Sequence, residues 1–358
     1  MATTDPVLNQ TGNPAYPLIT TYTSWLSTNS DSAAALAADK TKADNIVSWQ
    51  MPHGGFYKSP SWYSAKWNGT DPRSGWFGAN NVELGTIDND ATVTEIMFLA
   101  NVFSRTGNAV YRGAARKALD FILNMQYASG GFPQVYPERP NSYSNYVTFN
   151  DNAMVRALML LDHAAKFKAP LNSGLFTNTQ IARIEPAIAK AVDYILQAQI
   201  VQGGVKTVWC AQHDPVNFAP LGARSYELPS KSGLESVQVV AFLMTRPQSA
   251  TVAASAKAAI AWYKRSAVQL KDTGYDSVGA AATNTSPFIT KVGTTTWYRF
   301  YDLTADTGFF SGRLPTDSPP GTGKQYDIMN VEPERRYGYQ WGGSYGTKLF
   351  AYTNTVGY

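Results

Sequence analysis

Seven stretches of the chain carry apolar residues at helical spacing, and polar, glycine-rich stretches separate them. The clearest is LDFILNMQYASGGFPQVYP (119–137), where Leu119, Ile122, Leu123 and Met125 fall on one face of a helix. That helix is expected to stop at Gly130–Gly131, because a left-handed terminal residue favours glycine. Asp120, Ile122, Gln126, Gly130 and Gly131 set a pattern, D-x-I-x-x-x-Q-x-x-x-G-G, that occurs twice more. Asp44, Ile46, Gln50, Gly54 and Gly55 form one copy; Asp193, Ile195, Gln199, Gly203 and Gly204 form the other. The intervals between the first glycines are 76 and 73 residues.

A near-constant long period marks stacked supersecondary units. Each period has room for a second helix, so the pattern predicts three successive helix pairs, closed into a toroid or laid side by side. Helices are expected over 32–49, 92–104, 110–126, 153–166, 181–199, 233–244 and 251–270. Thr92 and Glu95 have capping-box spacing, and Asn150 and Asp151 stand where an N-cap belongs. Long polar loops, 56–84, 131–149 and 204–232, should gather on one face, where function usually sits. Past about residue 270 the sequence turns Gly-, Thr- and Pro-rich. There WYRFYDL (297–303) reads as a strand and RLPTDSPPGTGK (313–324) as a loop; residues 1–20 read as a surface run. The expected fold is mainly α. Helix-pair repeats fill about 31–270 and a tail of short strands and irregular structure fills about 271–358, in a single module over 1–358.

Composition narrows the function. No apolar run approaches the ~20 residues that cross a bilayer. A net charge of +4 with 16% charged residues is far from a nucleic-acid arm, yet leaves room for a basic groove facing an acidic substrate. Cys210 is the one cysteine, so no intramolecular disulfide forms. Met1 leads into the polar ATTDPV without a signal peptide, which fits either a cytosolic protein or a mature domain with an added Met1.

Two acidic-amide clusters open equivalent helices: Asp88-Asn89-Asp90 and Asn150-Asp151-Asn152. Their ordinary role is N-capping, which one Asp per helix satisfies. An oxygen-only donor set also suits a hard cation, Ca²⁺ above all, although the EF-hand pattern is absent. One Cys and three His without HxxxH or CxxC spacing argue against zinc, and GxSxG, GxGxxG and P-loop patterns are missing. Arg224, Arg299 and Arg313 are the basic candidates, and Arg224 has Glu227 at hand as an ordinary ion-pair partner. A cation and arginines together suit a substrate bearing carboxylates. Offsetting a carboxylate's charge makes the proton on its α-carbon easier to remove, and a base that takes it starts a β-elimination.

The segments TIDNDAT (86–92), GGFPQVYP (130–137), YVTFNDNAM (146–154), VWCAQHDP (208–215), ARSYELPS (223–230), WYRFYDL (297–303) and ERRYGYQW (334–341) resemble the pectate lyases of polysaccharide lyase family 10. The resemblance covers nearly everything from Trp49 onward. It implies an (α/α)3 toroid that cleaves polygalacturonate by calcium-dependent anti β-elimination, leaving 4,5-unsaturated oligogalacturonides. It implies calcium at Asp88, Asn89 and Asp151, with the register inside 88–90 open by one or two residues. It gives Arg224 as the base that takes the C5 proton, and Arg299 and Arg313 as holders of substrate carboxylates. An arginine is almost always protonated, pKa above ~12, so the base role needs a strongly perturbed site or high pH. The stretch LPTDSPPGTG after Arg313 departs from the family's usual form. With only about three ligands against the ~6–8 oxygens Ca²⁺ takes, calcium is expected to arrive with substrate.

The resemblance also implies a secreted, monomeric protein acting on plant cell-wall pectin, with no nucleic-acid or membrane partner. Three other readings remain. An inverting glycoside hydrolase would use Asp88 and Asp151 as its carboxylate pair. A calcium-dependent pectin-binding module would need no base. A polyprenyl cyclase would share the Q-x-x-x-G-G-F repeat (126–132) but needs an apolar cavity.

Overall fold

The computed structural model describes residues 21–28, 32–172, 174–313 and 323–358. The expected surface run over 1–20 and most of the expected loop over 313–324 lie outside the described residues. Two compact units divide the chain, one over Leu18–Tyr194 and one over Ile195–Tyr358.

The first unit is mainly helical: α1 (Ala33–Trp49), α2 (Val93–Thr106), α3 (Ala109–Met125), α4 (Ala153–Ala165) and most of α5 (Asn178–Ala198). Ser32 caps α1 by accepting from the Ala35 N–H, and Asn108 caps α3 through Val110. Helices α2 and α3 pack on each other, and α1 packs on both. Almost every α2 residue from Val93 to Phe103 is buried, so this helix is the unit's core element.

The repeat's glutamine has a specific task. Helices α1 and α3 end on Gln50 and Gln126 in extended conformation, not on a left-handed glycine. The Gln50 side-chain amide donates to the carbonyls of Gly54 (2.8 Å) and Ala114 (2.9 Å). Gln126 does the same to Gly130 (2.9 Å) and Ala187 (2.8 Å). Each glutamine thus ties its own turn to the helix one pair further on, satisfying two buried carbonyls. The glycine is needed for close approach: a Cβ on Gly130 would stand 2.0 Å from the Lys190 carbonyl oxygen.

In the third copy the glutamine keeps its role and the glycines do not. Gln199 donates to Thr207 (2.9 Å) and Ser255 (3.0 Å). Gly203–Gly204 instead turn a small hairpin, Val201–Gln202 against Val205–Lys206, with open space around both. Thr207 and Val208 occupy the place of the double glycine. The bonds Thr207 N–H to Ile200 and Ile200 N–H to Val208 repeat those of Gly130 to Tyr127 and Tyr127 to Gly131. The equal spacing of this glycine pair was therefore misleading.

The second unit holds α6 (Glu235–Met244) and α7 (Ala250–Tyr263), packed as a pair, with α10 (Tyr345–Val356) against both. The short helices α8 (Ser277–Thr283) and α9 (Pro333–Gly338) lie between α7 and α10 in the chain. Helix α7 ends at Tyr263, short of the expected 270: turns fill 264–269, with Val268 N–H on the Arg265 carbonyl, and a strand, Leu270–Tyr275, follows. That strand pairs antiparallel with Phe288–Tyr298, which also pairs with Gly342–Gly343. Expected strand 297–303 is two strands broken at Arg299, the second, Phe300–Tyr301, pairing with Lys231–Ser232. An aromatic core of Tyr226, Phe300, Phe309, Phe310 and Trp341 carries the arginines described below.

Candidate functional site

Asp88, Asn89 and Asp151 lie in the first unit, on two loops of the same form. Residues 86–92 and 148–154 each run Thr, apolar, then three Asp or Asn residues into a helix. Asn89 (φ 49°) and Asp151 (φ 51°) are both left-handed and exposed, and Asp90 (φ 65°) and Asn152 (φ 62°) follow suit. Asp and Asn tolerate this region better than other non-glycine residues, which explains the shared composition. The loops are neighbours, because Arg156 on α4 forms an ion pair with Asp90.

These clusters do not cap their helices as expected. The N-cap residues Thr92 and Asn152 make no side-chain cap bond. Thr92 Oγ1 instead donates to the Thr86 carbonyl (2.8 Å) and accepts from the Phe56 N–H (3.1 Å), and its own φ is 63°. A buried β-branched residue at positive φ is strained, and the two bonds hold it there.

Four residues of the two clusters differ in commitment. Asp90 takes Arg156 and the Thr21 hydroxyl (2.7 Å). Asp88 is buried and ion-paired with Lys58, whose ammonium also sits 4.7 Å from the Trp76 ring centre. The exposed Asn89 side chain makes no hydrogen bond among the described residues, and Asp151 accepts from the Asn150 amide (2.8 Å). Two carboxylates and an amide oxygen at adjoining helix N-termini are the donor chemistry a hard cation takes. Lys58 holds the carboxylate of Asp88 that such a cation would share. No group of three His, Cys, Asp or Glu residues forms a metal cluster among the described residues.

The three arginines lie in the second unit. Arg224 opens a tight turn closed by Glu227 N–H to the Arg224 carbonyl (2.8 Å), so Glu227 folds back on it. The guanidinium grips Glu227 with two nitrogens, Nε to Oε2 at 2.7 Å and the other through Oε1. Burial works to lower the Arg224 pKa, but the bonds and charge of Glu227 outweigh it and raise it. Tyr226, the turn's buried ring, has three guanidiniums against it: Arg224 at 4.8 Å, Arg313 at 4.7 Å and Arg335 at 4.9 Å.

These arginines differ in how freely they can meet a ligand. The Arg224 side chain is 40% exposed and Arg313 43%. Arg313 pairs with Glu334, itself 59% exposed, and such a surface pair is easily exchanged. Arg299 is 5% exposed, ion-paired with buried Glu235 at 2.5 Å, and its guanidinium stacks 4.3 Å from the Tyr339 ring. The Tyr339 hydroxyl donates to Glu227 (2.9 Å). Arg299 therefore stands behind Arg224, reaching it through Tyr339 and Glu227. Arg335 and Tyr339 were not singled out from the sequence. Their signal was an arginine-aromatic alternation, ERRYGYQW, whose meaning depends on the Tyr226 ring that only folding brings beside it.

The family model described as pectic acid lyase matches residues 50–350. The chain belongs to the pectic acid lyase family. A polysaccharide lyase is thus the enzyme class, and the hydrolase, cyclase and binding-module readings fall away. Two solved structures are similar over nearly the whole chain. A mutant family 10 polysaccharide lyase from Cellvibrio cellulosa in complex with trigalacturonic acid is 41% identical, with 97% of this chain and 98% of that chain covered and a TM-score of 0.79. The family 10 polysaccharide lyase from the same organism is 41% identical, with 93% and 98% covered and a TM-score of 0.78. Among curated proteins none matches. Pectic acid lyase membership agrees with the mainly α fold. No helix among the described residues is long and apolar enough to cross a membrane.

Proposed function

We propose that this pectate lyase cleaves polygalacturonate by calcium-dependent anti β-elimination, with both units forming one catalytic module. The observation that carries the reading is membership of the pectic acid lyase family, in a chain whose first unit holds an oxygen-donor set (Asp88, Asn89, Asp151) and whose second holds exposed guanidiniums (Arg224, Arg313). The complex of the Cellvibrio relative with trigalacturonic acid supports the substrate class.

Asp88, Asn89 and Asp151 would hold the cation. Calcium, when bound, offsets the uronate carboxylate's charge and so acidifies the C5 proton. Arg313 would grip a carboxylate in place of Glu334, using the planar fork that matches it. Arg224 would take the C5 proton. The C5–H electron pair then forms the C4–C5 double bond as the C4–O bond breaks, and the leaving chain takes up a proton at that oxygen. No water is consumed, so the product carries a 4,5-unsaturated end. The pair with Glu227 opposes this role, because it favours the charged guanidinium. Arg224 must release Glu227 and lose a proton to solvent before it can accept the C5 proton. Arg299 acts as a positioning residue through Tyr339. The protein would act outside the cell, where pectin is found, and as a monomer.

The decisive experiment follows the ultraviolet absorbance of unsaturated product from polygalacturonate, with calcium and then with excess chelator. A rise that the chelator stops is expected, and Asp151→Ala should need about tenfold or more calcium for half its rate, since affinity follows ligand charge. New reducing ends without the absorbance would overturn elimination, and a rise indifferent to chelator would overturn the metal.

A further inference from the structure

The end of α1 and the irregular loop after it carry a run of aromatic rings that the reaction above does not use. Trp49 and Trp62 stand 5.0 Å apart centre to centre, Trp62 and Tyr57 stack at 5.4 Å and 29°, and Tyr57 meets Trp76 edge-on at 5.3 Å. All four are half-buried, so each keeps part of its surface in solvent. The rings are held firmly. The Trp76 N–H donates to Ser74 Oγ (3.0 Å) and its carbonyl accepts from Leu84 (3.0 Å). Trp62 lies in the helical turn Pro60–Ser64, with its N–H on the Ser59 carbonyl. Gly75 leaves Tyr57 room, since a Cβ there would stand 2.6 Å from the Tyr57 hydroxyl.

Core packing does not account for this run. The indole N–H groups of Trp49, Trp67, Trp209, Trp262, Trp297 and Trp341 all donate to protein acceptors. Those of Trp62 and Trp76 donate to no protein group among the described residues. Two cations flank Trp76: Lys58 at 4.7 Å and Arg139 at 5.7 Å. Arg139 has no carboxylate partner among the described residues. Lys58 also reaches Asp88, so the Trp76 end of the run stands beside the proposed cation site.

We propose that this ridge binds the stretch of uronate chain that extends beyond the Asp88–Asp151 site. Flat rings stack on the apolar faces of sugars, and free indole N–H groups donate to their hydroxyls. Arg139 pairs with a substrate carboxylate, and Lys58 does so when Asp88 is engaged elsewhere. A neutral polysaccharide would leave those cations unanswered, so the ligand class is acidic. The proposal rests on the polygalacturonate reading above and adds a length preference to it: affinity rises with chain length past the trimer because longer chains reach Trp76, Tyr57 and Trp62.

The test is equilibrium titration of intrinsic tryptophan fluorescence with galacturonate trimer, hexamer and polymer, in the whole chain carrying Arg224→Ala to stop turnover. Trp76→Ala and Trp62→Ala should each lower hexamer affinity about tenfold while shrinking its advantage over the trimer. Arg139→Gln keeps every ring and carries the test if a tryptophan variant does not fold. It should cost about threefold with hexamer and weaken the salt dependence of binding. Equal loss for trimer and hexamer, or no loss in any variant, overturns the ridge. Failure of the lyase reading is seen separately. A protein that binds hexamer through Trp76, yet forms no unsaturated product as wild type, keeps the ridge and loses the mechanism.

Discussion

The two units handle charge in opposite ways. In the first, oxygen donors stand at helix N-termini on left-handed loops, and Lys58 and Arg156 balance them from outside. In the second, guanidiniums gather around one phenol ring, and Glu227 and Glu334 balance them. The first arrangement is short-armed and fixed by backbone geometry. The second uses long side chains whose aim depends on aromatic walls. Precision in the first comes from φ and ψ, in the second from packing. A substitution that leaves the backbone alone should therefore disturb the second region more easily than the first.

Arg224→Ala presses hardest on that difference. If Arg224 is the proposed base, the rate of unsaturated-product formation should fall about a thousandfold while the near-ultraviolet circular dichroism stays native, because the Tyr226 wall remains. Arg224→Lys should rescue little, since the bidentate grip on Glu227 requires a planar fork. A lysine variant with wild-type rate would show that the planar fork is not needed and break the contrast.

Glu95 tests the fixed region. It lies in the first turn of α2, fully buried, and accepts from the Tyr63 hydroxyl at 2.7 Å, while its other oxygen has no partner. Burial, joined by the charge of Asp90, pushes its carboxyl up to about 7, against the lowering pull of Tyr63 and the backbone. An unfolded glutamate titrates near ~4.3. The folded state therefore prefers the protonated form. The stability this group supports is complete below ~4.3 and is lost as pH rises through about 7, by roughly 4 kcal/mol. Glu95→Gln should remove that decline. Urea melts should match wild type near pH 4 and exceed it near pH 8, and parallel curves at both would show that Glu95 does not titrate in the fold.

Legibility from the sequence followed the same division. The helices α1 to α6 and the loop plan were readable because apolar spacing and capping residues are local signals. So were both acidic clusters, whose residue types are those that left-handed backbone accepts. The conserved task of Gln50, Gln126 and Gln199 was visible as a pattern but not as a function, since each bridges to a carbonyl more than fifty residues away. The Gly203–Gly204 pair misled because spacing along the chain cannot distinguish a turn wedged against a helix from a hairpin in open space. Helix α10 was missed because its sequence, YGTKLFAYTNTV, is rich in aromatic and β-branched residues with a glycine, and packing on α6 and α7 overrides that weak propensity. The arginine cluster needed the fold: Arg224, Arg313 and Arg335 are spread over more than a hundred residues and meet only at Tyr226.

The gentlest perturbation isolates what Glu227 does. It accepts two bonds from the Arg224 guanidinium, one from the Arg224 backbone N–H and one from Tyr339; burial pushes its carboxyl up, and the arginine's bonds and charge overcome this and hold it below the ordinary glutamate value. Glu227→Gln keeps the size and one acceptor but removes the charge that raises the Arg224 pKa. If Arg224 accepts the C5 proton, its neutral fraction at any pH should grow, and the alkaline rise of kcat/KM should move about one unit toward lower pH. If Arg224 serves only as a fixed cation, the profile should stay in place while kcat falls through loss of aim. The position of the limb, not the size of the rate, decides between them. A shift with Glu227→Gln that vanishes in Arg224→Lys, Glu227→Gln would tie the titration to the guanidinium itself. The comparison would then sharpen: the first unit places its oxygen donors by backbone geometry, and the second changes the charge of one guanidinium to work.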